Sequence, residues 1–282
     1  MLRLWPSFSP NTLWVTFAAD GLAIVQQTRG FNKRITDQQF IKTRHTEKHP
    51  AESPNWQLLV NQLDGYLSSA SLNKNTQMNV ILSSDYVRYI MLPAQQVAMN
   101  SAEKSAYVNA VFREIYGAAA NDWYIKYHSA APHQNTPAAA VDKQLLASLE
   151  HLAGKYQLKL NTVQPYLMAA FNALNHSIHK ANGYLVLLEN TKLLLIYCQQ
   201  GVCQQLQTVT VNQDWQTALK NALNRELLLN EQLNTADKNL FIYAPAQKNT
   251  SLNAIDGWHV QRIGHANKAK LEAPFYMLES VL

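Results

Sequence analysis

Two stretches of this chain follow one plan. In the first, "LWVTFA", "LAIVQQTRG" and the run around "RITDQQFIKT" read as three β-strands joined by short turns. A helix in "NWQLLVNQLDGYLSSA" follows, with Trp56, Leu59, Val60, Leu63 and Leu67 at helical spacing, and then a strand in "NVILS". At Gly183 the plan restarts: "GYLVLLENTKLLLIYCQQGVCQQLQTVTV" gives three strands turning at Glu189–Asn190 and Gln200–Gly201. "DWQTALKNALNRELLLNEQL" then supplies a helix and "NLFIYAP" a strand. The stretches share no residue-level identity, so the repeat is one of element order. Such a repeat within 282 residues predicts two α/β halves, residues 1–182 and 183–282.

Between them lies a segment of a different order. "YVRYIML" reads as a strand stopped by Pro93 after Ser83-Ser84-Asp85. The helix expected from Ser101 has Glu103 in its first turn, an apolar face of Ala106, Tyr107, Ala110, Val111 and Ile115, and closes at Gly117. "DWYIKYHSA" is a short strand, and strand, helix, strand and helix follow through "AAAVDKQLLASLEHLAGKYQ" and "LKLNTVQPYLMAAFNALNHSIHKANG". This places an inserted α+β subdomain at about residues 94–132 of the first half.

Composition removes several functions. Charged residues are 15% of the chain, well under the usual quarter, and Gln and Asn fill much of the polar surface. No apolar run approaches the roughly 20 residues of a membrane span. "MLRLWPSFSPN" is interrupted by Arg3 and Pro6 and does not read as a signal peptide, so a cytoplasmic location is expected. The net charge of +5 is scattered, apart from the stretch from Phe31 to His49, which reads as a solvated β-ribbon and loop. Cys198 and Cys203 should face each other across the Gln200–Gly201 turn as free thiols, since two ligands alone do not make a zinc site.

The segment Val80–Asn175 carries a family resemblance. "VILSSDYVRYIMLPAQ", "SAYVNAVFREIYGAAANDWYIKYH" and "AAAVDKQLLASLEHLAGKYQLKLNTVQPYLMAAFNAL" are similar, in order, to a strand–loop–strand–"LP" segment, an inserted subdomain and a domain crossover. All three belong to the actin-like assembly-platform proteins of type IV pili and type II secretion, the PilM and GspL families, which include MSHA-type pilus biogenesis proteins. The resemblance implies an actin-like fold, a duplicated ribonuclease H-like α/β architecture of two domains. It also implies a cytoplasmic scaffold, peripheral at the inner membrane, that binds a single-span membrane-anchored partner or forms a homodimer. Since "APFYMLESVL" brings no span, the soluble pilus-type form is expected rather than the secretion form.

Nucleotide-binding relatives place small residues at three loops. Here the first hairpin tip has only Asp20-Gly21, the second has Glu189, Asn190 and Thr191, and the late strand ends in Ala244-Pro245. A bulky Cβ blocks close approach of backbone to phosphate, and Pro removes a donor, so the site is expected to be degenerate, with no catalytic residue and no cofactor. The resemblance places the partner groove beside the inserted subdomain, with Tyr86, Tyr89, Tyr107, Val111 and Phe112 as candidate anchors.

Other chemistry has weaker signals. An active ATPase with an altered site is one alternative. A nucleic-acid-associated protein of ribonuclease H-like topology is another, suggested by the basic balance, and Asp20, Asp85 and Glu189 at strand ends suggest a two-metal nuclease on the related fold. Turns attract acids for local hydrogen bonding anyway, so neither metal nor nucleic acid is expected. His176 and His179 with Lys180 read as cations at a helix C-terminus, and His45 to His49 as a loop without a third ligand. Trp14, Trp56, Trp123, Trp215 and Trp258 read as core.

Overall fold

A strand buried on both faces sits in the middle of a sheet, and "TLWVTFA" is such a strand. In the computed structural model it is β1 (Thr12–Ala18), buried along its length except for a half-exposed Trp14. The structure describes residues 11–29, 33–43, 56–95, 99–128, 134–212, 214–229, 238–247, 255, 257–264 and 274–282. The histidine loop expected at His45 to His49 lies outside them.

Around β1 the chain adds β2 (Gly21–Arg29), β3 (Lys33–Lys42), α1 (Gln57–Ser69) and β4 (Gln77–Leu82). A later return supplies α3 (Lys143–Lys155) and β8 (Lys159–Pro165). The five strands are ordered β3-β2-β1-β4-β8, with β1–β2 and β2–β3 antiparallel and the other two pairs parallel. Helix α1 buries Leu59, Val60, Leu63, Tyr66 and Leu67, the face its spacing announced plus one tyrosine. That tyrosine's hydroxyl accepts from Gln26 Nε2 at 2.7 Å and donates to Asp37 Oδ2 at 3.4 Å. Asp64 on α1 accepts from Tyr156 Oη and Lys155 Nζ, both at 2.7 Å.

Register corrects the first turn. Ala18 pairs with Gly21, so the tip residues are Ala19 and Asp20, and Gly21 already belongs to β2. Its φ of +151° and a Cβ that would collide with the Ile41 carbonyl explain the glycine there. The described part of the basic stretch is β3, an edge strand of mostly exposed residues, as expected of a solvated ribbon.

The intervening segment builds β5 (Val87–Leu92), α2 (Ser101–Tyr116), a 3₁₀ turn (Gly117–Asp122), β6 (Trp123–Tyr127) and β7 (Thr136–Asp142). Its antiparallel sheet, ordered β5-β7-β6, extends the subdomain on both sides of the expected 94–132. Helix α2 starts at Ser101, as expected. Asn100 is the cap, in a reciprocal box with Glu103. Its buried face is shifted: Val108 and Phe112 enter the core, Tyr107 and Val111 lie beside it, and Ala106, Ala110 and Ile115 are exposed. The aromatic cluster decides this, since Phe112 stacks on Tyr116 at 6.0 Å and meets Trp123 edge-on at 6.5 Å.

The remaining elements are α4 (Tyr166–Ile178), β9 (Gly183–Leu188), β10 (Lys192–Gln199), β11 (Val202–Thr210), α5 (Trp215–Leu229), β12 (Asn239–Tyr243), β13 (His259–Arg262) and a terminal 3₁₀ segment (Phe275–Ser280). Their sheet order is β11-β10-β9-β12-β13, with the same sequence of antiparallel and parallel pairings as the first sheet. The expected repetition of element order is therefore a repetition of topology. Contacts gather the chain into one compact unit of Met1–Leu82 with Gln144–Pro165 and a second of Ser83–Lys143 with Tyr166–Leu282. The inserted subdomain thus groups with the second sheet, which differs from a division at residues 182 and 183. Among the described residues no helix is long and apolar enough to cross a membrane.

Candidate functional site

Within the second unit, two loops far apart in sequence close on each other. The turn after β4 carries Ser83, Ser84 and Asp85, and the β9–β10 turn carries Glu189, Asn190 and Thr191. Ser84 donates its backbone N–H to Glu189 Oε2 at 2.9 Å and its hydroxyl to Oε1 at 2.5 Å. Thr191 donates its hydroxyl to Asp85 Oδ2 at 2.8 Å, and Ser83 Oγ donates to the same oxygen at 3.2 Å. Both loops are thus latched by side chains.

Glu189 is 3% exposed. Burial pushes its carboxyl up to about 7 and the nearby Asp85 adds to this, while the two Ser84 bonds and Lys192 pull the other way. Where a nucleotide-binding loop would offer N–H donors to phosphate, this loop supplies a carboxylate that accepts them. Charge and hydrogen-bond polarity are both reversed.

The third loop position is filled. Ala244 and Pro245 are buried, and residues 245–247 form a 3₁₀ turn whose Gln247 carbonyl accepts from Arg262 at 2.9 Å. Tyr243, Tyr166 and Tyr276 are each 2% exposed or less, and the Tyr166 and Tyr276 rings meet edge-on at 5.9 Å. Burial, reinforced by Tyr243, Tyr276 and Glu189, holds the Tyr166 phenol far above its usual range. The phenol cluster was not legible in the sequence, because its members come from α4, β12 and the terminal segment.

Asp20 and Gly21 lie in the other unit, and Glu189, Asn190, Thr191, Ala244 and Pro245 lie together in this one. Among the described residues no three His, Cys, Asp or Glu side chains form a metal-holding group. His176 stands in the last turn of α4, and the His179 ring nitrogen Nδ1 contacts the His176 carbonyl at 3.0 Å, a C-terminal arrangement.

The proposed anchors divide. Phe112 is 0% exposed and is therefore core of the inserted subdomain, not a surface anchor. Tyr107 is half-buried and accepts from Gln95 at 2.9 Å, and Val111 is half-buried against the same core. Tyr86 and Tyr89 are half-buried, with the Tyr89 hydroxyl itself buried. Burial raises the Tyr89 phenol, as does the charge of Glu189.

A groove of about 470 Å³ opens within this unit, between the inserted subdomain, α4 and the β10–β11 hairpin. Pro137, Leu167, Phe171, Ile196 and Leu206 line it, with Met168 45% and Val202 41% exposed. These residues were missed at the sequence level. Cys203 also lines the groove and pairs in register with Cys198, as the two-residue turn required. Both are free thiols, and burial pushes each up to about 12. Trp56 and Trp215 are core, whereas Trp14, Trp123 and Trp258 are only half-buried.

No family model matches the sequence, and no curated protein matches it. Solved structures do match. The "PilM-PilN type IV pilus biogenesis complex" aligns at a TM-score of 0.60 with 12% identity, covering 89% of this chain and 88% of that one. The cytoplasmic domain of EpsL, an inner-membrane component of the type II secretion system of Vibrio cholerae, aligns at 0.55 with 12% identity over 90% of each chain. A Bacteroides thetaiotaomicron protein with an actin-like ATPase fold and unknown function aligns at 0.56 with 12% identity over 86% of each. The fold is actin-like, the one shared with PilM and the EpsL cytoplasmic domain.

Proposed function

We propose that this protein is a non-catalytic scaffold of a pilus or secretion assembly platform, held at the cytoplasmic side of the inner membrane by a membrane-anchored partner. The observation that carries this reading is the buried Glu189 carboxyl, which takes up the Ser84 N–H and hydroxyl at the second hairpin turn, where a phosphate site would need free donors. A buried carboxyl there occupies the donors a phosphate would need, and its charged form repels a nucleotide. Near-complete coverage of both PilM and the EpsL domain supports the scaffold side of the reading. The groove containing Met168, Phe171 and Val202 supplies an apolar surface suited to a partner segment.

The test has two arms. Mg-ATP is titrated into the purified chain, and the chain is used to capture the cytoplasmic segments of single-span proteins encoded beside it. Retention of one such segment without nucleotide is the expected result. Hydrolysis of ATP, or no retained segment, overturns the reading.

A further inference from the structure

The α5-facing side of the second five-stranded sheet is built in rows across β9, β10 and β11. One row is Leu188–Leu193–Val209, the next Val186–Leu195–Gln207, and the next Tyr184–Tyr197–Gln205. The first row is aliphatic throughout. The other two end in glutamine at the edge strand, where continuing the core would require apolar residues.

Those glutamines border a cavity of about 300 Å³, together with Tyr184 and Glu226 and the apolar Met91 and Leu195. Three polar atoms here are buried without a hydrogen-bond partner: Gln205 Oε1, Gln207 Oε1 and the hydroxyl of Tyr184, a residue 2% exposed. Native interiors rarely leave buried acceptors unmet, and three bordering one cavity call for a common donor. The Glu226 carboxylate is close enough to add to the burial that raises the Tyr184 phenol, so that hydroxyl stays neutral. Aromatic rings complete the setting, with Tyr184 5.2 Å from Tyr197 and 5.6 Å from Trp258.

We propose that this cavity is a receptor for one cationic side chain, an arginine guanidinium or a lysine ammonium carried on a peptide. Two amide oxygens and a phenol offer unmet acceptors, the Glu226 carboxylate adds negative charge, and among the described residues no Lys, Arg or His lines the cavity. Its volume is at the low end for small-molecule sites and suits one side chain. The overall charge of +5 offers a cation no long-range attraction, so recognition is local. The source of the peptide rests on the scaffold reading: the cytoplasmic flank of a membrane-anchored partner is where Lys and Arg concentrate.

The experiment titrates the full chain calorimetrically with N-acetyl-arginine methylamide, N-acetyl-lysine methylamide, N-acetyl-norleucine methylamide and putrescine. At least one of the two cationic amides should bind about tenfold or more tighter than the norleucine control, which keeps the stem and lacks the charge. The double variant Gln205→Leu/Gln207→Leu continues the aliphatic rows, so it should keep or raise its melting temperature and lose binding. Glu226→Gln should weaken binding about tenfold and serves if the double variant does not fold. Equal binding of norleucine, binding unaffected by these variants, or no binding of either cationic amide overturns the proposal. Binding of putrescine alone also overturns it, by making the site one for a free diamine. The two readings fail separately: a false scaffold reading leaves the arginine amide bound, and a false cation site leaves partner capture by the Gln205/Gln207 variant intact.

Discussion

The carboxylate of Glu189 holds both polar hydrogens of Ser84, a residue 105 positions earlier in the chain. That pairing buries in the second unit a carboxyl that is charged mainly above about pH 7. It also gives the protein a pH dependence that can be measured.

Glu189 has a folded-state value near 7 against 4.5 for the free group, so between those values the folded state keeps a proton that the unfolded chain releases. Stability should therefore fall as pH rises from about 4.5 to about 7, with the penalty fully present above that. Glu189→Gln removes the charge and keeps the shape. Its melting temperature should exceed that of the native chain at pH 8 by an amount worth up to about 3 kcal/mol, and should match it near pH 4. Parallel melting curves across pH for the two proteins would refute the assignment.

Nucleotide should bind weakly or not at all. Calorimetric titration with Mg-ATP is expected to show no dissociation constant in the low micromolar range, about −8 kcal/mol, since the donors of Ser84 are already taken. A micromolar isotherm would show that Glu189 yields its place.

The thiols of Cys198 and Cys203 should be slow to react at pH 7. Burial pushes each up to about 12, so thiolate is scarce, and alkylation should accelerate about tenfold per pH unit well past pH 9. Thiol-titration kinetics against a small peptide thiol check this. Rates at pH 7 equal to the peptide's would contradict it.

Phe112→Ala should destabilise the protein by about 3–5 kcal/mol, because it empties the aromatic centre of the inserted subdomain. Substituting the exposed Ile115 on the same helix should change stability by less than about 0.5 kcal/mol. Chemical denaturation separates the two, and equal costs would mean the helix face is misassigned.

Gly201→Ala should cost about 1–3 kcal/mol or more. Its φ is +75°, and a Cβ would collide with the His179 carbonyl, where the hairpin tip docks on the end of α4. Thermal denaturation checks it, and an unchanged melting temperature would show that the tip is not held there.

The sequence by itself determined the elements and their repetition. Leu59, Leu63 and Leu67 face one way on a helix whatever surrounds them, and the Gln200–Gly201 turn sets Cys198 opposite Cys203 because a two-residue loop fixes register. It also raised the expectation that Glu189 and Ala244–Pro245 keep backbone from phosphate, an argument from Cβ bulk and proline's missing donor. Tertiary structure decided what fills those places. Glu189 finds Ser84, Tyr166 finds Tyr276, and Tyr184 shares a cavity with Gln205, Gln207 and Glu226 through pairings between strands and helices distant in the chain. Even the face of α2 turned on such a contact, with Phe112 rather than Ala110 drawn inward by Trp123. Periodicity and turn chemistry act over a few residues, whereas burial and unmet hydrogen bonds depend on neighbours that only the folded chain brings together.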